Sequence, residues 1–142
     1  MPPTTDPSQR WRVAVPLPKD EDLPADIVHE LSQNPPLNVT RMFAGTLDMA
    51  PGVMALIHAV FYAEGIDPRL RQIIILRVAQ LLDCTYEWQA NVVFAKNVGL
   101  TDQQIAQVGI DDEVTGLGPT EDLICRATDE ITTDGSLTRT FQ

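Results

Sequence analysis

The sequence has 142 residues, of which 44% are apolar and 21% charged, so its size and composition are those of one globular domain rather than of a disordered chain. Its formal net charge of -10 and isoelectric point near 4.4 oppose binding to a phosphate backbone or an anionic membrane, so nucleic acid and membranes are excluded as partners. The sequence shows no apolar run of about 18 residues and no basic-then-apolar leader, which predicts a cytoplasmic protein.

Cysteine and histidine do not occur in metal-binding patterns. Cys84 and Cys125 stand far apart and form no Cys-x-x-Cys motif, and His29 and His58 add no zinc-ligand spacing. The sequence therefore predicts no metal site.

Residues 1–22 are predicted to form an extended arm. Five prolines in this stretch each fix φ and remove a backbone donor, so a helix cannot run through it. An apolar cluster from Trp11 to Leu17 would be costly to leave in water, which indicates that the arm packs on the domain or on a neighbouring subunit. Residues 23–142 then form the predicted helical domain.

Helical patterns follow one another along the rest of the chain, and no alternating strand pattern interrupts them. Pro51 marks a helix start, Thr101 and Gln104 form a capping box, and Thr120 begins a last long helix that closes before Asp134. The prediction is an all-α, single-domain bundle of about six to seven helices. The helical patterns cover residues 22–33, 38–49, 51–65, 67–83 and 84–99, a short segment from 101, and 120–133.

The segment at residues 67–83 is the most informative. At 100° per residue its apolar side chains fill about half the circumference, and a polar strip of about 140° lies opposite them. A polar strip on an otherwise buried helix must find partners or line a cavity, because each unpaired buried polar group costs about 1–3 kcal/mol. The strip is therefore a candidate site. It consists of Arg69, Gln72, Arg77, Gln80 and Asp83, and Ile73 and Leu76 also fall within it.

The next segment places a thiol, a carboxyl and an indole at a helix start, at Cys84, Glu87 and Trp88. On the helical wheel Glu87 and Asn91 share a stripe with the apolar Phe94. Glu87 therefore points the way the apolar residues point, which makes it a candidate acid or base.

The stretch PRLRQIIILRVAQLLDCTYEWQANVVFAKNVGLTDQQI resembles the carboxymuconolactone decarboxylase family, which includes the alkyl hydroperoxide reductase D-like proteins. The resemblance covers about residues 35–135, and it rests on the Leu-Arg-Val-Ala run at 76–79, the Tyr-Glu-Trp triplet at 86–88, Ala95, and Gly99 with the Leu-Thr that follows. It implies an alkyl hydroperoxide reductase D-like helical bundle that assembles into trimers or hexamers, with sites between subunits. The fold alone does not fix the activity.

The redox branch of this family carries Cys-x-x-Cys with a histidine between the cysteines, a second histidine further on and a glutamate upstream. Cys84 matches the first cysteine, whereas Tyr86, Glu87, Asn91 and Gln72 stand at the positions of the first histidine, the second cysteine, the second histidine and the glutamate. Without a resolving thiol, Cys84 can be oxidised to a sulfenic acid but cannot close a local disulfide. The resemblance therefore disfavours a dithiol peroxidase.

The decarboxylase-like branch shows Tyr-Glu-Trp followed by a histidine two or three residues after the tryptophan. The triplet is present, but Ala90 and Asn91 stand where the histidine would be, which leaves Glu87 as the acid or base. Decarboxylation of a lactone acid also needs a cation that holds the substrate carboxylate, and Arg77 is the candidate for that role.

Three functional hypotheses stay open. The first is a carboxymuconolactone decarboxylase-like lyase or isomerase without a cofactor, which acts on a small carboxylate or lactone through Arg77 and Glu87. The second is a peroxiredoxin-type, peroxide-linked activity of Cys84 alone, and the third is a non-catalytic ligand-binding oligomer of the same fold. The expected partners are a small-molecule substrate and further copies of the chain.

Several candidate residues also have a purely structural interpretation. Glu87 is either the acid or base or an ion-pair partner of Arg77 or Arg69, Cys84 is either a nucleophile or a buried inert thiol, and His58 fits a core or interface histidine better than a catalytic base. The candidate substrate-binding residues are Gln72, Tyr86, Asn91, Trp88 and His58.

Overall fold

All regular secondary structure in the part of the chain that the structure describes is helical. This computed structural model describes residues 16–137, and in that range it contains seven α-helices and no strand, which confirms the predicted all-α class. The predicted Trp11 cluster of the arm lies largely outside the described residues. The helices are α1 (Ala25–Gln33), α2 (Asn38–Ala44), α3 (Ala50–Phe61), α4 (Pro68–Leu81), α5 (Thr85–Asn97), α6 (Asp102–Val108) and α7 (Pro119–Asp134).

The chain divides into two compact units, Met1–Val60 and Phe61–Gln142. The first unit holds a small apolar core at Ile27, Ala44 and Ala50. The helix expected over residues 38–49 is interrupted in this unit. α2 ends at Ala44, and a 3-10 turn over Leu47–Met49 begins with Leu47 at a left-handed φ of 49°. A left-handed residue cannot continue an α-helix, so the pattern splits into two elements.

The second unit is built around α4, which packs against α5, α6 and α7. Proline at the first position of α4 suits a helix start, and the Asp67 side chain accepts hydrogen bonds from the backbone N–H groups of Arg69 and Leu70 at 2.8 and 3.2 Å. The predicted capping box of α6 is present, with both of its bonds formed between Thr101 and Gln104. The core of this unit consists of Ile73, Leu76, Ala95, Leu100, Ile105, Val108, Val114 and Cys125.

The deepest side of α4 is the strip predicted to be polar. Ile73 and Leu76 are fully buried on it, together with Arg77, whereas Leu82 on the apolar side is 62% exposed. Neighbouring helices therefore cover the strip that carries the charges, and its polar groups need partners from those helices.

No single helix within residues 16–137 is long and apolar enough to cross a membrane. One pair of helices, Asn38–Ala44 with Leu47–Phe61, meets the length and composition criteria together, with a bend of 116° between its two parts.

Candidate functional site

Arg77 is the central buried charge of the second unit, and its side chain is completely occupied. Its Nε and Nη2 donate to Oδ1 and Oδ2 of Asp129 at 2.6 and 2.9 Å. Its Nη1 donates to the carbonyl oxygens of Val108 and Ile110 at 3.1 and 2.5 Å, and its Nη2 also donates to the Asp112 carbonyl at 3.1 Å. These bonds use all five N–H groups of the guanidinium. The Asp129 hydrogen bond raises the pKa of Arg77, against the opposing effect of burial.

This arrangement corrects the expected role of Arg77. It has no N–H left for a substrate carboxylate, and it does not meet Glu87, because its carboxylate partner is Asp129 on α7. Arg69, the other candidate partner of Glu87, lies 3.5 Å from a Glu121 carboxylate oxygen instead. Arg77 is a structural clasp that fixes α4 to α7 and to the backbone between α6 and α7.

Cys125 lies in the same core and is fully buried. Burial raises the pKa of its thiol to about 11, although the nearby Arg77 acts in the opposite direction. The neutral thiol is therefore favoured in the folded protein. Its contribution to stability is present below the pKa of the thiol in the unfolded chain, about 9, and is lost as the pH rises through the pKa in the folded protein, about 11.

We expect the free energy of unfolding to fall by on the order of 2–3 kcal/mol because of this thiol as the pH rises across that window. Urea denaturation at a series of alkaline pH values measures the fall. In Cys125→Ala the free energy of unfolding should fall less steeply with pH, whereas in Cys84→Ala it should fall as steeply as in the wild type. Equal slopes in the two variants would contradict the assignment.

Glu87 and Asn91 form a polar pair on the first turns of α5. Asn91 donates its Nδ2 to both the backbone carbonyl oxygen and the Oε2 of Glu87, at 2.9 and 3.1 Å. Because both partners are acceptors, the amide orientation is fixed and the Oδ1 of Asn91 points away from them. That oxygen is buried and has no hydrogen-bond partner among residues 16–137.

Two neighbouring residues of α4 also carry unmet hydrogen-bonding groups. Gln72 is 3% exposed and its Oε1 has no partner in the described part of the chain. The Nε and Nη1 of Arg71 are likewise buried without a partner there, while its guanidinium lies over the Phe61 ring at 5.9 Å. Phe61 in turn contacts Phe94, with ring centroids 6.3 Å apart and planes tilted by 56°.

Arg71 is the residue that the sequence interpretation missed. It lies on the apolar side of the α4 helical wheel rather than in the polar strip, so the wheel did not indicate a functional role for it. The available signal was the arginine itself, because a guanidinium among apolar neighbours needs an acceptor.

Cys84 occupies the position just before α5, after an Asp83 with a left-handed φ of 51°. The thiol is half-buried and lines an open hollow of about 160 Å³ with Gln80, Thr85 and Trp88. The hollow gives a small molecule access to the sulfur, and it is separate from the buried Arg77.

Trp88, Tyr86 and His58 are the remaining predicted site residues, and their surroundings differ. Trp88 packs against the core, and its ring lies so close to Gly109 that a Cβ there would approach Cη2 to 2.7 Å. Tyr86 is exposed at 41%. His58 is exposed in the first unit, where it lines a cleft of about 300 Å³ with Glu30.

Metal binding has no support among residues 16–137, since no group of three or more His, Cys, Asp or Glu side chains there could hold an ion. The family model described as "Carboxymuconolactone decarboxylase family" matches residues 48–130. The chain matched no curated protein and no solved structure.

Proposed function

Since the chain belongs to the carboxymuconolactone decarboxylase family, we propose that it is a cofactor-free lyase or isomerase that acts on a small carboxylate or lactone, with Glu87 as its acid or base. One observation carries the proposal: the half-buried Glu87 carboxyl is held by Asn91. A fixed carboxyl at the edge of an apolar interior is suited to proton transfer.

The proposed chemistry needs one proton and no electron acceptor. In decarboxylation the bond between the α-carbon and the carboxylate breaks, carbon dioxide leaves with its two oxygens, and the electron pair stays on carbon. Glu87 then gives that carbon a proton. In isomerisation the same carboxyl removes a proton and returns it to another atom of the substrate.

Turnover by the wild-type protein tests the class of reaction. The protein is incubated with a set of γ-lactone acids and small unsaturated carboxylates, and the products are followed by NMR together with released carbon dioxide. We expect turnover of at least one compound without added metal or cofactor, and unchanged turnover after treatment with a chelator. Absence of turnover across the set would contradict the proposal.

A thiol activity of Cys84 is the second candidate, and its support is the hollow that gives access to the sulfur. We expect one thiol to react with a disulfide reagent in the folded protein and both to react after unfolding, because Cys125 is fully buried. Cys84→Ser should abolish the reaction of the folded protein, and Cys125→Ala should not.

The same samples test the peroxide chemistry. Treatment with peroxide followed by a sulfenic-acid probe would support the thiol candidate if Cys84 is labelled stoichiometrically. A Cys84 that reacts with the disulfide reagent at the rate of a free model thiol and resists peroxide would exclude it.

Assembly into a trimer or hexamer is also proposed. Support comes from large apolar side chains that are exposed on the chain, among them Leu56 and Val60 on α3 and Val93 on α5. Sedimentation equilibrium measures the mass, and a stable monomer at micromolar concentration would contradict the proposal. An oligomer that binds carboxylates without turnover would favour the non-catalytic alternative.

A further inference from the structure

We propose that Arg71 binds the carboxylate of the substrate and that Asn91 accepts a hydrogen bond from a hydroxyl of the same molecule, so that the site takes a small hydroxycarboxylate. This inference rests on the proposed function, which requires a cation for the substrate carboxylate. It assigns to Arg71 the role that Arg77 cannot have.

The first step is the unmet donor capacity of Arg71. Its Nε and Nη1 are buried, and neither finds an acceptor among residues 16–137. A buried N–H on a charged group strongly favours an anionic acceptor, because hydrogen bonds between ions are about twice as strong as neutral ones. Arg77, six residues later on the same helix, shows the contrast, because every donor of its guanidinium is used.

The second step is orientation. The guanidinium of Arg71 lies over the Phe61 ring, with its Cζ 5.9 Å from the ring centroid, so the ring contacts the cation without using its N–H groups. Phe61 also contacts Phe94, and Phe94 lies one turn from Asn91 on α5. The aromatic pair therefore connects the cation with α5, the helix that carries the Glu87–Asn91 pair.

The third step is the acceptor capacity of Asn91. Asn91 is 5% exposed, and its Nδ2 is committed to Glu87, so its buried Oδ1 requires a donor from elsewhere. A ligand that satisfies these groups carries a negative charge at one end and a hydrogen-bond donor at the other, which is the pattern of a hydroxycarboxylate.

Buried donors and acceptors without partners in the protein lower its stability. This gives two opposite expectations for Arg71→Met, which keeps the length and apolar stem of the side chain. The variant should bind the ligand less well and should also have a higher midpoint of thermal unfolding than the wild type. A residue that serves only the fold would show the reverse.

The test uses NMR titrations with three matched probes: lactate, propionate, which lacks the hydroxyl, and lactamide, which lacks the charge. Lactate should shift an arginine Nε–H signal that is missing in Arg71→Met, and its dissociation constant should rise about 10- to 100-fold in that variant. Propionate should bind about 3- to 10-fold more weakly than lactate, and lactamide should not shift the signal. Arg126→Met, which alters an exposed arginine of α7, is the matched control and should behave as the wild type.

Four results would overturn the inference: no shift with any acid, equal affinity of Arg71→Met for lactate, equal effects of lactamide and lactate, or a lower unfolding midpoint for Arg71→Met. A carboxylate from a second copy is the other source of the same chemistry. In that case Arg71→Met would dissociate an oligomer while lactate binds neither protein, which also overturns the inference. These experiments measure binding, so their outcome does not depend on whether the protein shows the proposed turnover. Each of the two proposals can therefore fail without the other.

Discussion

Replacing Arg77 with methionine is expected to lower the free energy of unfolding by about 3–5 kcal/mol, because it removes one partner of a buried ion pair. The substitution leaves the carbonyl oxygens of Val108, Ile110 and Asp112 without their donor and removes the cation beside Asp129. Arg77→Lys should be nearly as damaging, since an ammonium has three donors on one atom and cannot reach acceptors on opposite edges of a planar guanidinium.

Urea denaturation followed by circular dichroism measures the effect. Arg126→Met supplies the matched control, because it removes an exposed arginine from the same unit, and it should cost no more than about 1 kcal/mol, the upper range for a surface ion pair. A loss below about 1 kcal/mol for Arg77→Met would show that the clasp does not hold the core. If the variant is too unstable to purify, Asp129→Asn gives a second test of the same pair, because its amide oxygen can accept only one of the two hydrogen bonds from Arg77 and the charge is removed.

Glu87→Gln is expected to reduce turnover by about 100- to 10,000-fold, which is the usual contribution of a positioned acid or base. The amide is close in shape to the carboxyl, and its oxygen can still accept from the Nδ2 of Asn91, so the fold and ligand binding should be retained. The loss should therefore appear in kcat rather than in KM.

Steady-state kinetics on the best substrate from the wild-type screen measures the change, with the unfolding midpoint as the check on folding. Glu113→Gln, which alters an exposed acidic residue of the same unit, should keep wild-type kinetics. Asn91→Ala should have a smaller effect than Glu87→Gln, because it loosens the carboxyl without removing it. Wild-type turnover in folded Glu87→Gln would remove Glu87 from the mechanism.

Helix positions could be predicted from the sequence because they depend on local chemistry. The Asp67-Pro68 start of α4 and the Thr101–Gln104 box involve residues within one turn of each other, and both helix starts are observed. The break after Ala44 was not predicted, because the apolar pattern continues across it, although Gly45 at the C-cap of α2 is a residue that often ends helices. Periodicity reports which side chains share a face, and not whether the backbone stays helical.

The candidate site was predictable only in part, for a related reason. The pairing of Glu87 with Asn91 follows from their spacing of four on one helix, and it is present. The partner of Arg77 is 52 residues away in the chain, so no local pattern could distinguish Asp129 from Glu87. The helical wheel of α4 indicated a polar strip that needs partners, and Gln72 and Arg77 are buried there, but the wheel could not name the partners.

The Arg77 clasp also sets an order of events during folding. The acceptors of its guanidinium lie 31 to 52 residues further along the chain. While the chain is being synthesised, α4 can begin to form early, because its cap is local. The Arg77 guanidinium stays hydrated until residue 129 has left the ribosome, and only then can the core close around it. Folding of this unit is thus expected to be late and cooperative, with amide protection of α4 and α7 appearing in the same kinetic phase.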